Sequence, residues 1–469
     1  MAVEILESCM VTPGEATPKH RLWLSIFDLV QSRTHTPLVY LYRACSGSDA
    51  FSPDILKLKA ALSKALVPFY PLAGRLGSDS TGRPDIHCTG DGVLFVTART
   101  DATLDKLGNP VPSEELRQML VPMAEAGDHA GVLAMFQVTF FECGGVCLGT
   151  AIHHTVCDGR AGGDFMQMWA AIARGDSEAA TSLQPCLDRT LLRGRSPPAV
   201  RFQHPEYPRH GSAGAPSKTY DENVPFDTAV FPISKNQVEA LKGAAGAASA
   251  GTGKKVSTYS AVVAHVWQCS CKAKGLSGTA EDSQIYGVGC LRSRMCPPLP
   301  RVFFGNAIAL TSTTVTKVKD IVSSPLDAVA DKVTASAARL SDEYIRSLAD
   351  YLELAMNDDA PGGVYEGPWV ITDNDLLVVS WIGLSVTDVD FGWGRPSFAG
   401  RAIHSKSNLL YLVPSPDGDG RLNVVVTMEP QTLSRFKELF YVGLKHYSLP
   451  SQIDGAQEQD ARVVKHTEL

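Results

Sequence analysis

The chain has 469 residues, of which 44% are hydrophobic and 20% are charged, and its formal net charge is −7. This is an ordinary globular composition, and the length predicts two domains or one large one. The negative charge excludes a basic surface for nucleic acid, and the apolar runs are too short to span a membrane. The 11 cysteines form no CxxC pair, so no zinc or disulfide framework is expected. The first residues lack a secretory signal, and we therefore expect a cytoplasmic protein.

The first half of the chain alternates between predicted strands and helices. In chain order they are a strand over 36–42, a helix over 55–66, two strands within 86–98 and a strand over 145–152. Ser52 is the predicted N-cap of the first helix, with Pro53 as its first residue. The turn residues Gly90, Asp91 and Gly92 predict a β-hairpin between the two strands within 86–98.

The second half resumes this pattern after a proline-rich segment. Residues 191–224 carry five prolines and no periodicity, which predicts a linker between an N-terminal domain, 1–190, and a C-terminal domain, 225–469. A second irregular loop is predicted over 243–255. The predicted elements are a helix over 257–273, strands over 285–289, 376–381 and 422–428, and a helix over 431–440. Strands and helices that alternate in two halves indicate α/β layers.

A histidine motif, HxxxDG, lies at 154–159. His87 and Asp91 have the same spacing, but their place in the predicted hairpin favours ordinary strand and turn roles. His154 instead lies between a continuous apolar strand and a glycine-rich turn that leads into a helix, where α/β proteins commonly place reactive side chains. The alternative for His154 is a histidine of the core. His153 points to the opposite side of the strand and is interpreted as structural.

Several further segments, in a fixed order, accompany this motif. They are TPLVY (36–40), FYPLAGRL (69–76), ST and AHVW (257–258 and 264–267), RSR (292–294), PPLP (297–300), FGN (304–306), SW (380–381) and DFGWG (390–394). As a set they show that the chain resembles the plant BAHD acyltransferases over nearly its whole length. It looks most like their hydroxycinnamoyltransferase branch.

The resemblance implies an α/β fold of two similar-sized domains, with mixed β-sheets flanked by helices as in chloramphenicol acetyltransferase. The active-site channel then lies at the interface between the domains. It also implies an enzyme that takes an acyl-CoA as co-substrate, has no permanently bound cofactor or metal, and works as a monomer.

The catalytic assignments follow from the chemistry of acyl transfer. The reaction needs a base beside the nucleophile, and the pKa of a histidine suits this task, so His154 is the predicted general base. Asp158 could orient His154, but the resemblance implies that it turns away and pairs with Arg292 in structural support. The family usually carries an acid two residues before that arginine, where this chain has Cys290.

The coenzyme carries phosphates, which favour hydroxyls, helix N-termini and cations. Lys254, Lys255, Ser257 and Thr258 meet this need at the start of a helix. The alternative is that Ser257 is only an N-cap and that the lysines belong to a solvated loop.

The resemblance places Ser380 and Trp381 near the donor thioester, where the indole N–H of Trp381 could bind the oxyanion or an acyl oxygen. It makes the DFGWG loop mainly structural. In that loop Gly392 and Gly394 permit tight turns, Asp390 pairs or caps, and Trp393 is structural, with coenzyme contact as the alternative.

The acceptor is the least determined part of the prediction. By resemblance, Thr36, Leu38 and Tyr40 line the channel near the acceptor and the acyl ring. Relatives that use shikimate carry an arginine at the position of Gly383, where it binds the acceptor carboxylate. Losing that cation would cost a few kcal/mol of binding.

We therefore predict a hydroxycinnamoyl transfer to an amine such as putrescine or agmatine. The nearby acids Asp373, Asp375 and Asp388 are candidates for binding a cationic end of the acceptor. The alternatives are an O-transferase to shikimate, quinate or another alcohol, and a catalytically silent ligand-binding paralogue. A hydrolase ranks last because no GxSxG motif is present.

Overall fold

The computed structural model describes residues 2–44, 53–108, 110–123, 131–208, 225–247, 255–276, 280–357, 372–447 and 461–465. Its strands are β1 Glu4–Val11, β2 Arg21–Trp23, β3 His35–Tyr42, β4 Arg75–Ser78, β5 Pro84–His87, β6 Val93–Thr100, β7 Ala134–Phe141, β8 Val146–His153, β9 Asp227–Ile233, β10 Asp282–Ser283, β11 Ile285–Cys290, β12 Ile308–Ser312, β13 Thr316–Lys317, β14 Leu376–Ser380, β15 Phe398–Arg401, β16 Leu409–Pro414, β17 Leu422–Met428 and β18 Arg462–Lys465. Its helices are α1 Ile26–Leu29, α2 Ile55–Ala65, α3 Leu104–Leu107, α4 Glu114–Leu120, α5 Gly159–Arg174, α6 Ser177–Ser182, α7 Lys235–Ala245, α8 Thr258–Ala273, α9 Val318–Ser323, α10 Leu326–Ala338, α11 Asp342–Asn357 and α12 Pro430–Tyr447.

Two mixed β-sheets, each with its own helices, organise the chain. The first has six strands in the order β1-β6-β7-β8-β3-β15, and the second has seven in the order β12-β11-β14-β16-β17-β9-β18. Each contains antiparallel and parallel neighbours, for example β7 with β8 and β6 with β7 in the first sheet. This confirms the predicted α/β fold with mixed sheets flanked by helices.

The ends of helices α5 and α8 follow from local signals in their sequences. Helix α5 is capped by Asp158, whose carboxylate accepts a bond from the Ala161 amide at 3.0 Å, and it stops at Gly175 in a left-handed conformation. Its Trp169 is fully buried beneath the first sheet, with its ring 5.0 Å from Phe136. Helix α8 is almost completely buried and has Ser257 as its N-cap, which confirms the predicted helix and its cap.

One strand from the second half of the sequence completes the first sheet. Strand β15 pairs antiparallel with β3, and Arg401 lies opposite Leu38 in the register. This crossover carries Arg401 and the residues that follow it to the edge of the first sheet. The division of the chain into domains 1–190 and 225–469, joined by 191–224, stays a prediction.

Three local predictions were wrong. Strands β5 and β6 do not form a hairpin around Asp91, because β5 pairs with β2 and β4 in a three-stranded sheet while β6 pairs with β1 and β7. Helix α2 begins at Ile55 with Asp54, not Ser52, as its N-cap, and Ser52 lies outside the described residues. Residues 243–245, predicted as loop, are the last turn of α7.

Candidate active site

A cavity of about 780 Å³ is lined by residues from both halves of the chain. The first half contributes parts of β3, β8 and the first turns of α5, and the second half contributes the ends of β14, β15 and β16 with the loops beside them. The predicted residues that line it are Thr36, Leu38, Tyr40, His154, Asp158, Arg292, Ser380, Trp381 and Gly383. The fold thus brings together residues separated by more than three hundred positions in the sequence.

His154 follows strand β8 directly and is held by its backbone. Its amide donates to the Thr34 carbonyl at 2.9 Å, and its carbonyl accepts from the side-chain amide of Asn306 at 2.8 Å. Nδ1 of the imidazole is buried and has no hydrogen-bond partner among the described residues. Burial has the largest effect and lowers the pKa of His154; the charge of Asp158 raises it and that of Arg401 lowers it, and the net shift is downward. The imidazole is therefore neutral at neutral pH, which is the form that can accept a proton.

His153 lies on the other face of the strand and does not line the cavity. Its amide donates to the Leu133 carbonyl at 2.8 Å, and its ring stands edge-on to His35 with the centroids 5.1 Å apart. Burial lowers the pKa of His153 to about 4. These contacts agree with the structural interpretation of His153.

Asp158 is turned away from His154 and forms a buried ion pair with Arg292. The two guanidinium nitrogens donate to the two carboxylate oxygens at 2.8 and 3.0 Å. The same oxygens accept from the amides of Ala307 at 2.9 Å and Ala161 at 3.0 Å. With four donors the carboxylate is well satisfied, so it holds the turn after His154 in place. Cys290, at the position where the family usually has an acid, contacts Nη1 of Arg292 with its sulfur at 3.8 Å.

A second buried network of hydrogen bonds and ion pairs supports the backbone of the turn after His154. Arg189 and Asp28 pair at 3.0 Å with their side chains 1% exposed, and Arg189 also donates to the Val156 carbonyl at 2.6 Å. Asn306 donates to Asp28 through both its amide and its side chain, at 2.7 and 3.0 Å. The sequence does not indicate this network, because its members lie far apart along the chain. Asn306 belongs to the FGN segment, but no local pattern links it to Asp28 or Arg189.

The residues predicted to lie near the acceptor and the thioester line the same cavity as His154. Trp381 is 7% exposed and packs edge-on against Tyr411 with the ring centroids 6.0 Å apart. Gly383 has φ +81°, and no described atom lies within 4 Å of a Cβ built on it. A side chain at position 383 would therefore enter open space in the cavity.

Of the described residues predicted to bind the coenzyme, Ser380 lines the cavity, whereas Lys255, Ser257 and Thr258 do not. The Ser257 hydroxyl accepts from the Ser260 amide at 3.0 Å, as an N-cap does, and Thr258 is the first residue of α8. Lys255 is exposed, and Lys254 lies outside the described residues. Coenzyme contact by these residues stays a prediction.

The DFGWG segment forms a compact turn that packs on the first half of the chain. The Asp390 carboxylate accepts from the amides of Gly392 at 2.7 Å and Gly394 at 2.9 Å, and both glycines have positive φ. The Trp393 ring stands edge-on to Tyr42 at 5.1 Å. None of these DFGWG residues lines the cavity. The geometry is therefore that of a structural turn.

The cavity is rich in positive charge. Its described lining includes Arg33, Arg160, Arg401 and Lys406, whereas its one carboxylate is Asp158, which Arg292 neutralises. These cations were missed from the sequence, although Arg160 directly follows the HxxxDG motif.

The three acids predicted to bind a cationic acceptor do not line the cavity. Asp375 accepts bonds from the backbone of Gln284 and Thr372, and Asp388 pairs with Arg395 on the surface. The carbonyl of Asp373 accepts from Lys274. The prediction that one of these acids binds a cationic end of the acceptor is therefore wrong, because none of the three faces the cavity.

The site thus presents a buried histidine to a cavity lined by both sheets, an arrangement that can carry general-base catalysis. A sequence model described as the Transferase family matches residues 1–442. Putrescine hydroxycinnamoyltransferase 1 of Oryza sativa subsp. japonica is 58% identical over 459 residues, covering 95% of this chain and all of that enzyme. Shikimate O-hydroxycinnamoyltransferase of Nicotiana tabacum is 38% identical over 450 residues, covering 94% of this chain and all of that enzyme.

Among solved structures, TRI101 of F. graminearum, complexed with coenzyme A and deoxynivalenol, superposes with a TM-score of 0.73. It is 18% identical and covers 89% of this chain and 96% of that one, so it shows a shared fold. The chain belongs to the BAHD transferase family and is a coenzyme A-dependent acyltransferase.

Two further observations concern the described residues only. No helix among them is both long and apolar enough to cross a lipid bilayer. They also contain no group of three or more histidine, cysteine, aspartate or glutamate side chains arranged to hold a metal ion.

Proposed function

We propose that this enzyme transfers a hydroxycinnamoyl group from its coenzyme A thioester to a primary amine of the putrescine or agmatine type. The observation that carries the transfer chemistry is the buried, neutral imidazole of His154 in the shared cavity. The choice of an amine rests on the 58% identity to the putrescine transferase and on Gly383, which offers no cation to an acceptor carboxylate.

The mechanism begins with His154 as general base. The imidazole removes a proton from the amine while the nitrogen attacks the thioester carbonyl, and a C–N bond forms. The carbonyl electrons move to oxygen, where the indole N–H of Trp381 is the proposed donor. When the tetrahedral intermediate collapses, the C–S bond breaks, and the proton on His154 passes to the departing thiolate to give free coenzyme A and an amide.

The positive side chains of the cavity lining suit the phosphates of the coenzyme, which is bound in the TRI101 structure. They do not attract a cationic acceptor, so the choice of an amine rests on the relative and on Gly383. The reacting amine must be neutral, because a protonated amine has no lone pair with which to attack the thioester. Asp158 and Arg292 hold the turn, and Asn306 holds the His154 carbonyl.

We further propose that the enzyme acts as a monomer in the cytoplasm, and that residues 1–190 and 225–469 form its two domains. This proposal rests on the family resemblance and, for the domains, on the proline-rich segment 191–224 between them.

The substrate class is tested by thiol release from p-coumaroyl-CoA with putrescine, agmatine, spermidine, tyramine, shikimate and a fatty alcohol as acceptors. Turnover is expected with putrescine or agmatine, and shikimate is expected to react at least about 100-fold more slowly, because no arginine stands at 383. Efficient turnover of shikimate would overturn the choice of an amine. If no acceptor gave thiol release, the alternative of a catalytically silent ligand-binding paralogue would be favoured.

Gly383→Arg tests whether the missing cation excludes shikimate. This variant is expected to gain shikimate turnover, while Gly383→Ala, which carries the same backbone strain at positive φ without the charge, is not. Equal behaviour of the two variants would mean that the cation at 383 does not decide the acceptor.

The pH dependence of kcat/KM with putrescine should show two regimes. The reacting amine is protonated below a pKa of about 10, so kcat/KM should rise about tenfold per pH unit between pH 7 and 9. Because the pKa of His154 lies below its ordinary value, the imidazole becomes protonated only at lower pH. In that range two groups must lose a proton, so log kcat/KM should rise with a slope of two against pH. A second break above pH 6.5 would contradict a lowered pKa for His154.

A further inference from the structure

Helix α5 presents a bare face to the active-site cavity. Gly159, Gly162, Gly163 and Met166 all line the cavity, and their spacing of i, i+3, i+4 and i+7 places them on one side of the helix. At Gly159, Gly162 and Gly163 this side carries only hydrogen atoms in place of side chains, and the first side chain on it is that of Met166. The backbone itself is therefore the wall of the cavity here.

Neither the backbone nor the packing requires glycine at position 163. The residue is helical, and a Cβ built on it meets no atom within 4 Å. At position 162 the nearest atom is the Cys157 sulfur at 3.7 Å, which is an ordinary contact. Glycine within a helix is less stable than alanine, so this sequence accepts a less stable helix without a gain in protein packing. The space beside Gly163 is therefore part of the cavity and is open to a bound substrate.

The surroundings indicate what kind of group fills this space. A Cβ on Gly162 would lie 3.9 Å from Ile152, and one on Gly159 would lie 3.6 Å from Leu384, so the bare face is bordered by apolar side chains. His154 lines the same cavity, with Nδ1 buried and unpartnered among the described residues. The thioester carbonyl must come close to this imidazole, and the acyl chain must continue from there along an apolar wall.

We propose that Gly163 determines acyl specificity, because its missing side chain makes room for the planar aromatic ring of the acyl group. A flat ring can pack directly on a helix backbone that carries no Cβ atoms, whereas any larger residue would occupy the same volume. This inference rests on the proposed hydroxycinnamoyl transfer and names the residue that admits the ring.

The test compares p-coumaroyl-CoA with acetyl-CoA as donors, with putrescine as acceptor, for wild type, Gly163→Ala and Gly163→Leu. The ratio of kcat/KM for p-coumaroyl-CoA to that for acetyl-CoA is expected to fall several-fold in Gly163→Ala and about 10- to 100-fold in Gly163→Leu. Gly163→Ala should also raise the melting temperature, since it removes a helical glycine.

Gly243→Ala is the matched control. Gly243 is also helical, and a Cβ on it also meets nothing within 4 Å, but it lies in α7 and is exposed. This variant should raise the melting temperature without changing the donor ratio. An unchanged ratio in both Gly163 variants, or an effect only on the KM for putrescine, would overturn the inference. Absence of p-coumaroyl transfer in wild type would instead reject the proposed function.

Discussion

Replacement of His154 by alanine is expected to lower kcat for amide formation about 10²- to 10⁴-fold, the range that general-base catalysis contributes. The reason is that the imidazole is the proposed acceptor of the amine proton. The side chain borders a cavity and its Nδ1 makes no hydrogen bond among the described residues, so the fold should survive its removal. Thiol release under saturating donor and acceptor measures the effect, and circular dichroism checks the fold.

His87→Ala is the matched control, because His87 and Asp91 repeat the HxxxD spacing away from the cavity. Its kcat should stay within about twofold of wild type, since its side chain takes no part in the proton transfer. If kcat of His154→Ala fell by less than tenfold, His154 would not be the general base.

Arg292→Ala is expected to lower the free energy of unfolding by about 3–5 kcal/mol, because it leaves the Asp158 carboxylate as an uncompensated buried charge. The side chains of Asp158 and Arg292 are only 1% and 7% exposed, so the carboxylate is poorly hydrated and depends on its protein partners. Denaturation by urea measures the change. Arg99→Ala removes the exposed pair of Arg99 with Glu4 and should change the stability little.

The same pair distinguishes structural support from a proton relay. If Asp158 only holds the turn, the folded fraction of Asp158→Asn should keep most of its kcat, and its acidic break should move to lower pH, because the charge of Asp158 raises the pKa of His154. A relay predicts that kcat falls strongly even in fully folded protein and on the plateau of the pH profile. The orientation of the carboxylate toward Arg292, Ala161 and Ala307 favours the first outcome.

The elements around His154 could be predicted because their signals are local. Residues 145–152 are apolar enough to form a buried strand, and Phe165, Met168 and Trp169 recur at helical spacing, as strand β8 and helix α5 show. The DFGWG turn is also a short-range structure, in which one aspartate accepts the amides of Gly392 and Gly394. The spacing of HxxxD alone was insufficient, and the flanking strand and turn separated His154 from His87.

Other features depend on contacts between distant segments. No local pattern shows that β15 leaves the second half to pair with β3, although this step carries Arg401 to the cavity beside His154. The predicted hairpin failed for the same reason, since turn residues at 90–92 do not specify which sheet each strand joins.

The sequence by itself therefore determined the family, the histidine proposed as the base and the local turns and helices around it, because these depend on residue type and short-range periodicity. Only the tertiary structure decided where the long-range partners lie. It tied Asn306 to Asp28 and His154, and excluded Asp373, Asp375 and Asp388 from the cavity. The pairing of Asp158 with Arg292 was already implied by the family resemblance, and the structure confirms it. The physical reason is that a buried charge takes the partner that packing brings within reach, and packing joins residues that the sequence keeps far apart.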